Sequence, residues 1–278
     1  MPRLTGLCLA FTLLLPLAAQ AQDAPIRWSA WPADRGKVQL KLSQGDRMNN
    51  QDWDASELQG LDTRFPGGPL AFRIQRQAGT LSCTGNGREG RGEGTCRFAR
   101  DASYFDGLAR RDVRVTADLD AWQLALFDVR LELLDELRRQ DYRTPSVKDL
   151  IAAGIFQIDA AFVRALGAAG YRQRELDDLI PFRIHRITPG YIRSIKAANP
   201  RLKLETKDLV ALHIHGVTPE WVEGWAKLGY DLDVKQLTNT RIHNVSPDYA
   251  RAMMAEVRDK PTLDQFVAMR IHGVKPGR

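Results

Sequence analysis

The feature that most constrains the fold is a segment of about 29 residues that recurs through the C-terminal two-thirds of the chain. Its clearest copies begin at Leu179, Leu209, Leu237 and Phe266. A more divergent copy begins at Leu150, and successive starts are 28 to 30 residues apart. Self-similarity at this period is typical of arrays in which each repeat packs only on its neighbours. The sequence therefore predicts tandem helical-hairpin repeats over residues 101–278.

Each repeat has the pattern of two short helices. The first has apolar residues at helical spacing, and the second begins at a Thr-Pro or Ser-Pro pair: Thr188-Pro189, Thr218-Pro219 and Ser246-Pro247. Serine and threonine are preferred N-cap residues, and proline is tolerated at the first helical position because its missing N–H has no partner there. The segment SYFDGLAR around Tyr104 matches half a repeat, namely a second helix.

Residues 22–100 have a different texture, which predicts a small β-rich domain of about four strands. Residues 37–44 and 70–77 alternate apolar and polar side chains, as strands with one buried face do. A short helical turn is expected over residues 56–61. The predicted fold class is α+β, with an antiparallel β region followed by an all-α repeat array.

Two cysteines outside the N-terminal apolar run, Cys83 and Cys96, are predicted to form a disulfide. A hairpin turn centred on Glu89-Gly90 places them directly opposite each other, at a separation that a disulfide can span. A metal site needs more ligands than two cysteines, and a catalytic dithiol usually has the Cys-x-x-Cys spacing, which this pair lacks. The bond therefore closes the hairpin.

The first 21 residues have the pattern of a signal peptide. Arg3 precedes an apolar run at residues 7–18, and Ala19-Gln20-Ala21 provides a small-x-small cleavage site. We expect an exported protein, periplasmic or secreted after cleavage near Ala21. No segment of the mature chain, residues 22–278, is long and apolar enough to be predicted as a membrane span.

The repeat LVALHIHGVTPEWVEGWAKLGY resembles the tandem "ALRIHGVTPEYI" units of a largely uncharacterised family of exported bacterial proteins. Similar units occur as extracytoplasmic tails on membrane metallopeptidases related to β-lactam sensors. The resemblance covers roughly residues 38–278, including SELQGL and the glycine-rich hairpin. The family supplies no activity, and the HExxH motif of the peptidases is missing here, so their catalysis does not carry over.

The recurring histidines could be ligands of a metal ion. Four recur at one repeat position, namely His185, His215, His243 and His272. Stacked helices would place them about 10 Å apart, which is too far for one zinc ion with bonds of about 2 Å. A histidine in the last turn of a helix meets unpaired carbonyl groups, so the expected role is structural. The sequence predicts no metal and no cofactor.

The favoured interpretation is a non-catalytic binding or scaffold protein that holds a protein or peptide on the helical array. The sequence contains no GxSxG motif, and no unpaired cysteine is expected to survive signal cleavage as a nucleophile. Repeat arrays without catalytic motifs usually bind. The candidate binding-surface residues are cations predicted on the second helices: Arg164, Arg193, Lys196, Arg251 and Arg258.

Two alternatives stay open. The turn Gly-Val-Thr-Pro between helices partly resembles a helix-hairpin-helix unit, whose turn amides bind nucleic-acid phosphate. The formal net charge is +6 for the chain but only +2 for the repeat region. Nucleic-acid binding depends on many contacts between cations and phosphates, so this low charge disfavours it. The second alternative is an envelope hydrolase with an unrecognised carboxylate site, because folding can bring any two acidic residues together.

Overall fold

The computed structural model describes residues 24–277, so the predicted signal peptide lies outside the described part of the chain. The six strands are β1 Ile26–Pro32, β2 Lys37–Gln44, β3 Arg47–Asp54, β4 Gly68–Arg76, β5 Gly79–Arg88 and β6 Arg91–Arg100. The first six helices are α1 Ala102–Ala109, α2 Asp118–Leu126, α3 Leu131–Arg139, α4 Val147–Ile155, α5 Ala160–Ala168 and α6 Ile180–Ile184. The next six are α7 Pro189–Ala198, α8 Thr206–Ile214, α9 Pro219–Lys227, α10 Val234–Ile242, α11 Pro247–Met254 and α12 Leu263–Ile271. The α+β prediction is confirmed.

The strands form one antiparallel sheet in the order β3-β2-β1-β6-β5-β4. The expected number of about four strands was too low, because β1 and β3 were not recognised. In β3 only Trp53 is buried, so this edge strand shows no alternation of apolar residues to read. The predicted helical turn over residues 56–61 is a single 3-10 turn at Ala55–Glu57.

The hairpin of β5 and β6 has the predicted register. Glu89 and Gly90 both have positive φ, at 52° and 77°, as a two-residue turn of the primed type requires. Cys83 therefore pairs with Cys96 across the two strands, and a disulfide joins them. Both cysteines are buried on the inner face of the sheet, so the cross-link lies within the core.

The helices stack in two layers. First and second helices alternate along the chain. The first helices are α2, α4, α6, α8, α10 and α12, and the second helices are α1, α3, α5, α7, α9 and α11. First helices pack on first helices and second helices on second helices, as in α8 on α10 and α7 on α9. The half repeat predicted around Tyr104 is α1, which packs on α3 in the second layer. Because neither helix exceeds ten residues, their stability comes from this packing.

The predicted N-caps are present. The hydroxyl oxygens of Thr188, Thr218 and Ser246 accept hydrogen bonds from backbone N–H groups three residues later. The proline that follows each cap opens the second helix. These local bonds set where every second helix starts and hence the phase of the repeat.

The sheet packs against the start of the array. Helix α2 lies on β4, β5 and β6, and the indole N–H of Trp122 donates a hydrogen bond to the side-chain oxygen of Gln44. One continuous apolar core runs from Ile26 in β1 to Leu209 in α8, and a second runs from Ile195 to Phe266. The division predicted at residue 100 thus falls where strands give way to helices, but the core continues across it.

No single helix in residues 24–277 combines the length and hydropathy of a membrane span. Helices α4 and α5 meet that test only when taken together, as a pair bent by 86°.

Candidate interaction surface

One repeat position carries an exposed aliphatic side chain in five consecutive repeats. We call these residues the isoleucine row, and they are Ile155, Ile184, Ile214, Ile242 and Ile271. Each is the last residue of a first helix, and each is between 50% and 63% exposed. Single exposed isoleucines are ordinary on protein surfaces, but five at one position of a stacked array form a continuous feature.

The exposure follows from helical geometry. In α8 the buried stripe consists of Leu209 and Leu212, and Val217 continues it after the helix ends. Ile214 lies two residues after Leu212, which places it away from that stripe. It is 57% exposed, whereas Leu212 is fully buried. The side chain therefore contributes nothing to the core of the array, although it is as apolar as the residues that do.

The isoleucine row is flanked by further apolar surface. One helical turn earlier lie the half-buried side chains of Ile180, Val210 and Val267. In α4 the equivalent residue is Ile151, which is buried, and in α10 it is the polar Thr238. The apolar surface is thus broadest over α6, α8 and α12.

The first repeat shows what this face of the array can pack against. Leu126 and Trp122 in α2 are the counterparts of Ile155 and Ile151, and both are only 2% exposed. Helix α2 is the first helix that packs against the sheet, so the chain itself covers this position once. In the five later repeats the same position is open.

Contacts between repeats hold the isoleucine row in line. The residue before four of the five isoleucines packs on an aromatic ring of the preceding second helix. The guanidinium of Arg183 lies 3.9 Å from the ring centre of Phe162, and that of Arg241 lies 4.2 Å from Trp221. Cation–π contacts of this kind contribute about 0.5–2 kcal/mol each.

The same contact varies in a consistent way along the array. Arg270 stacks on Tyr249 at 4.7 Å, and the ring of His213 meets Tyr191 edge-on at 4.9 Å. Where the aromatic position is occupied by Leu133, the residue before the isoleucine is Gly154. The four side chains that precede Ile184, Ile214, Ile242 and Ile271 are therefore used for packing inside the array.

A tyrosine at the aromatic position also bonds the next repeat. The hydroxyl of Tyr249 donates to the carbonyl oxygen of Val274 at 2.9 Å, and that of Tyr104 donates to Val129 at 2.7 Å. These bonds satisfy carbonyls that follow the end of a first helix. They set the spacing of one first helix from the next and thus the spacing of the row.

The four repeat-position histidines follow the isoleucines directly, at the C-cap of a first helix. Their backbone N–H groups bond carbonyls of the last helical turn. The rings are half-buried at His185 and His243 and exposed at His215 and His272. Across residues 24–277 no group of three or more histidine, cysteine or acidic residues is arranged to hold a metal ion. Their structural role stays a prediction.

Three of the five predicted binding cations are engaged inside the molecule. Arg164 pairs with the buried Glu136, Lys196 donates to the carbonyl of Gly170, and Arg251 pairs with Asp248. Arg193 and Arg258 are exposed, and neither forms a salt bridge with another described residue. The prediction that Arg258 lies on a second helix is wrong, because α11 ends at Met254. The second-helix cations thus do not form one continuous surface. Periodic apolar residues predict buried positions, so the sequence did not indicate that the isoleucine row is exposed. The tripeptide RIH or HIH, which recurs at a fixed step, is the sequence signal that marks the row.

The hydrolase alternative directs attention to a cavity of about 390 Å³ between the first two repeats. Asp128, Glu132 and Asp159 line it. Burial raises the pKa of Asp128, against the lowering charges of Arg76 and Arg130. Asp159 caps α5 by accepting the N–H of Phe162 at 2.7 Å. Glu132 accepts hydrogen bonds from Arg130 and Gln77, so each carboxylate already has a structural partner.

The nucleic-acid alternative depends on free amides in the turn between helices. In the turn after α8, the N–H of Gly216 donates to the carbonyl of His213 and that of Val217 donates to Leu212. Gly216 has a φ of +66°, a left-handed conformation that closes the helix on itself. These two amides point back into the helix and are not available to a phosphate.

No family model, no curated protein and no solved structure matches the chain.

Proposed function

We propose that this chain is a non-catalytic, exported binding or scaffold protein that holds a protein or peptide segment along the isoleucine row. The observation that carries the proposal is the exposure of an isoleucine at one position of five consecutive repeats. A regular apolar surface of this kind is what a helical-repeat binding protein needs and what solubility opposes. The disulfide between Cys83 and Cys96 supports export to an oxidising compartment.

The spacing of the row favours a helical partner. Packed helices lie about 8–10 Å apart, so neighbouring isoleucines are separated by about that distance. On a partner helix lying across the first helices, residues seven apart are separated by about 10.5 Å and share one face. On a strand, side chains on one face are about 6.6 Å apart and fall out of step with the row. We therefore propose an amphipathic helix with apolar residues about every seven positions.

The strength of such a contact can be bounded. Full burial of an isoleucine contributes about 1.5–3 kcal/mol, and each member of the row is already about half covered. Five members supply on the order of 5 kcal/mol, which is a millimolar to high-micromolar affinity before any ordering cost. A tight complex must therefore also use the flanking apolar residues Ile180, Val210 and Val267.

The test is a capture experiment from native periplasmic extract with the mature chain, residues 22–278, at low and high salt. The variant Ile184→Ser/Ile214→Ser/Ile242→Ser removes the middle of the row without touching buried residues. Met48→Ser/Val257→Ser is the matched control, since Met48 and Val257 are exposed apolar residues away from the row. We expect one protein to be retained at high salt by the wild type and the control and lost from the triple variant.

Retention of the same protein by the triple variant would refute the use of the isoleucine row. Recovery of nucleic acid alone, lost at high salt, would favour the helix-hairpin-helix alternative. Turnover of an envelope polymer by the wild type would favour the hydrolase alternative. Both variants are expected to melt within a few degrees of the wild type, because single surface substitutions change stability by about 0.5 kcal/mol or less.

A further inference from the structure

The outward face of the sheet carries an open polar groove of about 830 Å³, at a different place from the isoleucine row. Its floor includes Gly85 and Gly94, which pair across β5 and β6. The side-chain position of Gly94 is on the inner face of the sheet, where a Cβ atom would lie 2.8 Å from the indole nitrogen of the buried Trp28. The two glycines thus accommodate Trp28 beneath the sheet, and they contribute backbone to the floor of the groove.

Two cross-strand rows of side chains line the groove. In one row Arg27 lies between Ser43 and Thr95, and in the other Ser29 lies between Lys41 and Glu93. Residues paired across antiparallel strands project from the same face, so these six side chains face the groove together. They comprise two cations, one carboxylate and three hydroxyl groups.

These groups have no partners among the described residues. Arg27, Lys41 and Glu93 form no salt bridge in residues 24–277, and the three hydroxyl groups form no hydrogen bond to another described residue. Some cations elsewhere in the chain are paired, as Arg111 is with Asp135 and Arg201 with Asp231, and others, such as Arg193, are not. The groove thus gathers hydrogen-bonding groups that the fold does not use.

The surroundings of the groove are positively charged. Arg91 and Arg97 project from the same face of β6 as Glu93, because they alternate with it along the strand. The guanidinium of Arg91 lies over the ring of Trp31 at 6.0 Å. Acidic residues on this face include Glu93 in the groove and Asp52 on β3, so cations predominate where a ligand would enter.

We propose that this groove binds an acidic polysaccharide, that is, a sugar polymer bearing carboxylate groups. Arg27 and Lys41 would pair with carboxylates, and the hydroxyl groups of Ser29, Ser43 and Thr95 would exchange hydrogen bonds with sugar hydroxyls. Glu93 repels carboxylates and phosphates alike, but a sugar ring also offers it hydroxyl donors, which a chain of phosphates does not. Single-stranded nucleic acid also needs aromatic rings on which bases stack, and Trp31 is already covered by Arg91.

The test measures binding of polygalacturonate, neutral dextran and single-stranded DNA to the mature chain by calorimetry at physiological salt. The variant Arg27→Gln/Lys41→Gln removes both groove cations. Arg193→Gln/Arg258→Gln is the matched control, because it removes the same charge from exposed positions in the repeat region. We expect binding of polygalacturonate but not dextran, a loss of about tenfold or more in the groove variant, and a change of less than about twofold in the control.

Absence of polygalacturonate binding would overturn the proposal, as would equal losses in both double variants, which would indicate general charge attraction. DNA bound more tightly than polygalacturonate, with the loss in the groove variant, would assign the groove to nucleic acid instead. If thermal melting shows that the groove variant is unfolded, Asn86→Ala, an exposed residue of the same groove, replaces it. None of these variants alters the isoleucine row, so the capture experiment is decided separately.

Discussion

The hydroxyl of Tyr191 donates a hydrogen bond of 2.9 Å to the carbonyl oxygen of Val217, one repeat further along the chain. Tyr191 belongs to the second helix α7, and Val217 follows the first helix α8, so the bond joins the two layers between neighbouring repeats. The ring of Tyr191 also meets His213. One side chain thus sets both the distance and the orientation of the helix that ends on Ile214.

Replacing Tyr191 with phenylalanine should weaken the array at this joint. Tyr191→Phe keeps the ring and its contact with His213 but leaves the carbonyl of Val217 without this donor. The expected loss of unfolding free energy is about 1 kcal/mol, measured by urea denaturation. A loss within experimental error would show that water replaces the hydroxyl at no cost.

The same tyrosine makes stability depend on alkaline pH. Burial raises the pKa of Tyr191 from 10.0 to about 12. Because the folded-state pKa is raised, the stabilisation is complete below pH 10 and is lost as pH rises toward about 12. The unfolding free energy of the wild type should therefore fall over this range more steeply than that of Tyr191→Phe. Parallel curves for the two proteins would contradict the assignment.

A buried carboxylate between α3 and α5 should matter in acid. Glu136 is 1% exposed and pairs with Arg139 at 2.9 Å and Arg164 at 3.0 Å. Burial alone would raise its pKa, but hydrogen bonds from Gln140 and Arg164 and the charge of Arg139 outweigh burial and hold the pKa below the ordinary 4.5. Its contribution is therefore complete above pH 4.5 and is lost as pH falls through the lowered pKa.

Glu136→Gln should accordingly reduce the unfolding free energy at neutral pH by about 1–3 kcal/mol and flatten its decline below pH 4.5. Glu223→Gln is the control, because Glu223 pairs with Lys227 on the surface, where a salt bridge contributes about 0–1 kcal/mol. Chemical denaturation at a series of pH values measures both. Equal effects of the two substitutions would mean that Glu136 contributes no more than a surface pair.

A glycine in the turn after α4 is predicted to stabilise the protein. Gln157 has a φ of +56°, at the position where the turn after α8 has Gly216. A left-handed conformation costs an ordinary residue roughly 1–2 kcal/mol and glycine much less. Gln157→Gly should raise the unfolding free energy by about 0.5–1 kcal/mol, and Gly216→Ala should lower it by about 1 kcal/mol. Thermal melting should move in opposite directions for the two variants.

Removal of the disulfide should destabilise the sheet. The bond joins cysteines 13 residues apart, and closing a loop of this length contributes about 3 kcal/mol in the chain-entropy model. Cys83→Ala/Cys96→Ala is expected to lose about 2–4 kcal/mol, as measured by denaturation under non-reducing conditions. A reductant should lower the stability of the wild type to that of the variant and leave the variant unchanged. Any further loss in the variant would point to another effect of the reductant.

Local chemistry was readable from the sequence alone. The repeat period, the caps at Thr188, Thr218 and Ser246, and the opposition of Cys83 to Cys96 all depend on residues a few positions apart. Helical capping and turn geometry act over such distances, so these features were predicted with their residues. Strand β3 escaped because an edge strand with one buried side chain carries no periodic pattern.

Only the tertiary structure decided which faces stay open. Leu126 and Ile155 occupy the same repeat position. Leu126 is buried where α2 packs on the sheet, whereas Ile155 is 50% exposed. Arg164 and Arg193 are alike in sequence, but a buried Glu136 engages only Arg164. The sequence by itself determined the repeats, their caps and the cross-linked hairpin, because these arise from neighbouring residues. The exposure and the pairing of a side chain depend on which residues pack opposite it. Only the tertiary structure therefore revealed the isoleucine row and the groove on the sheet.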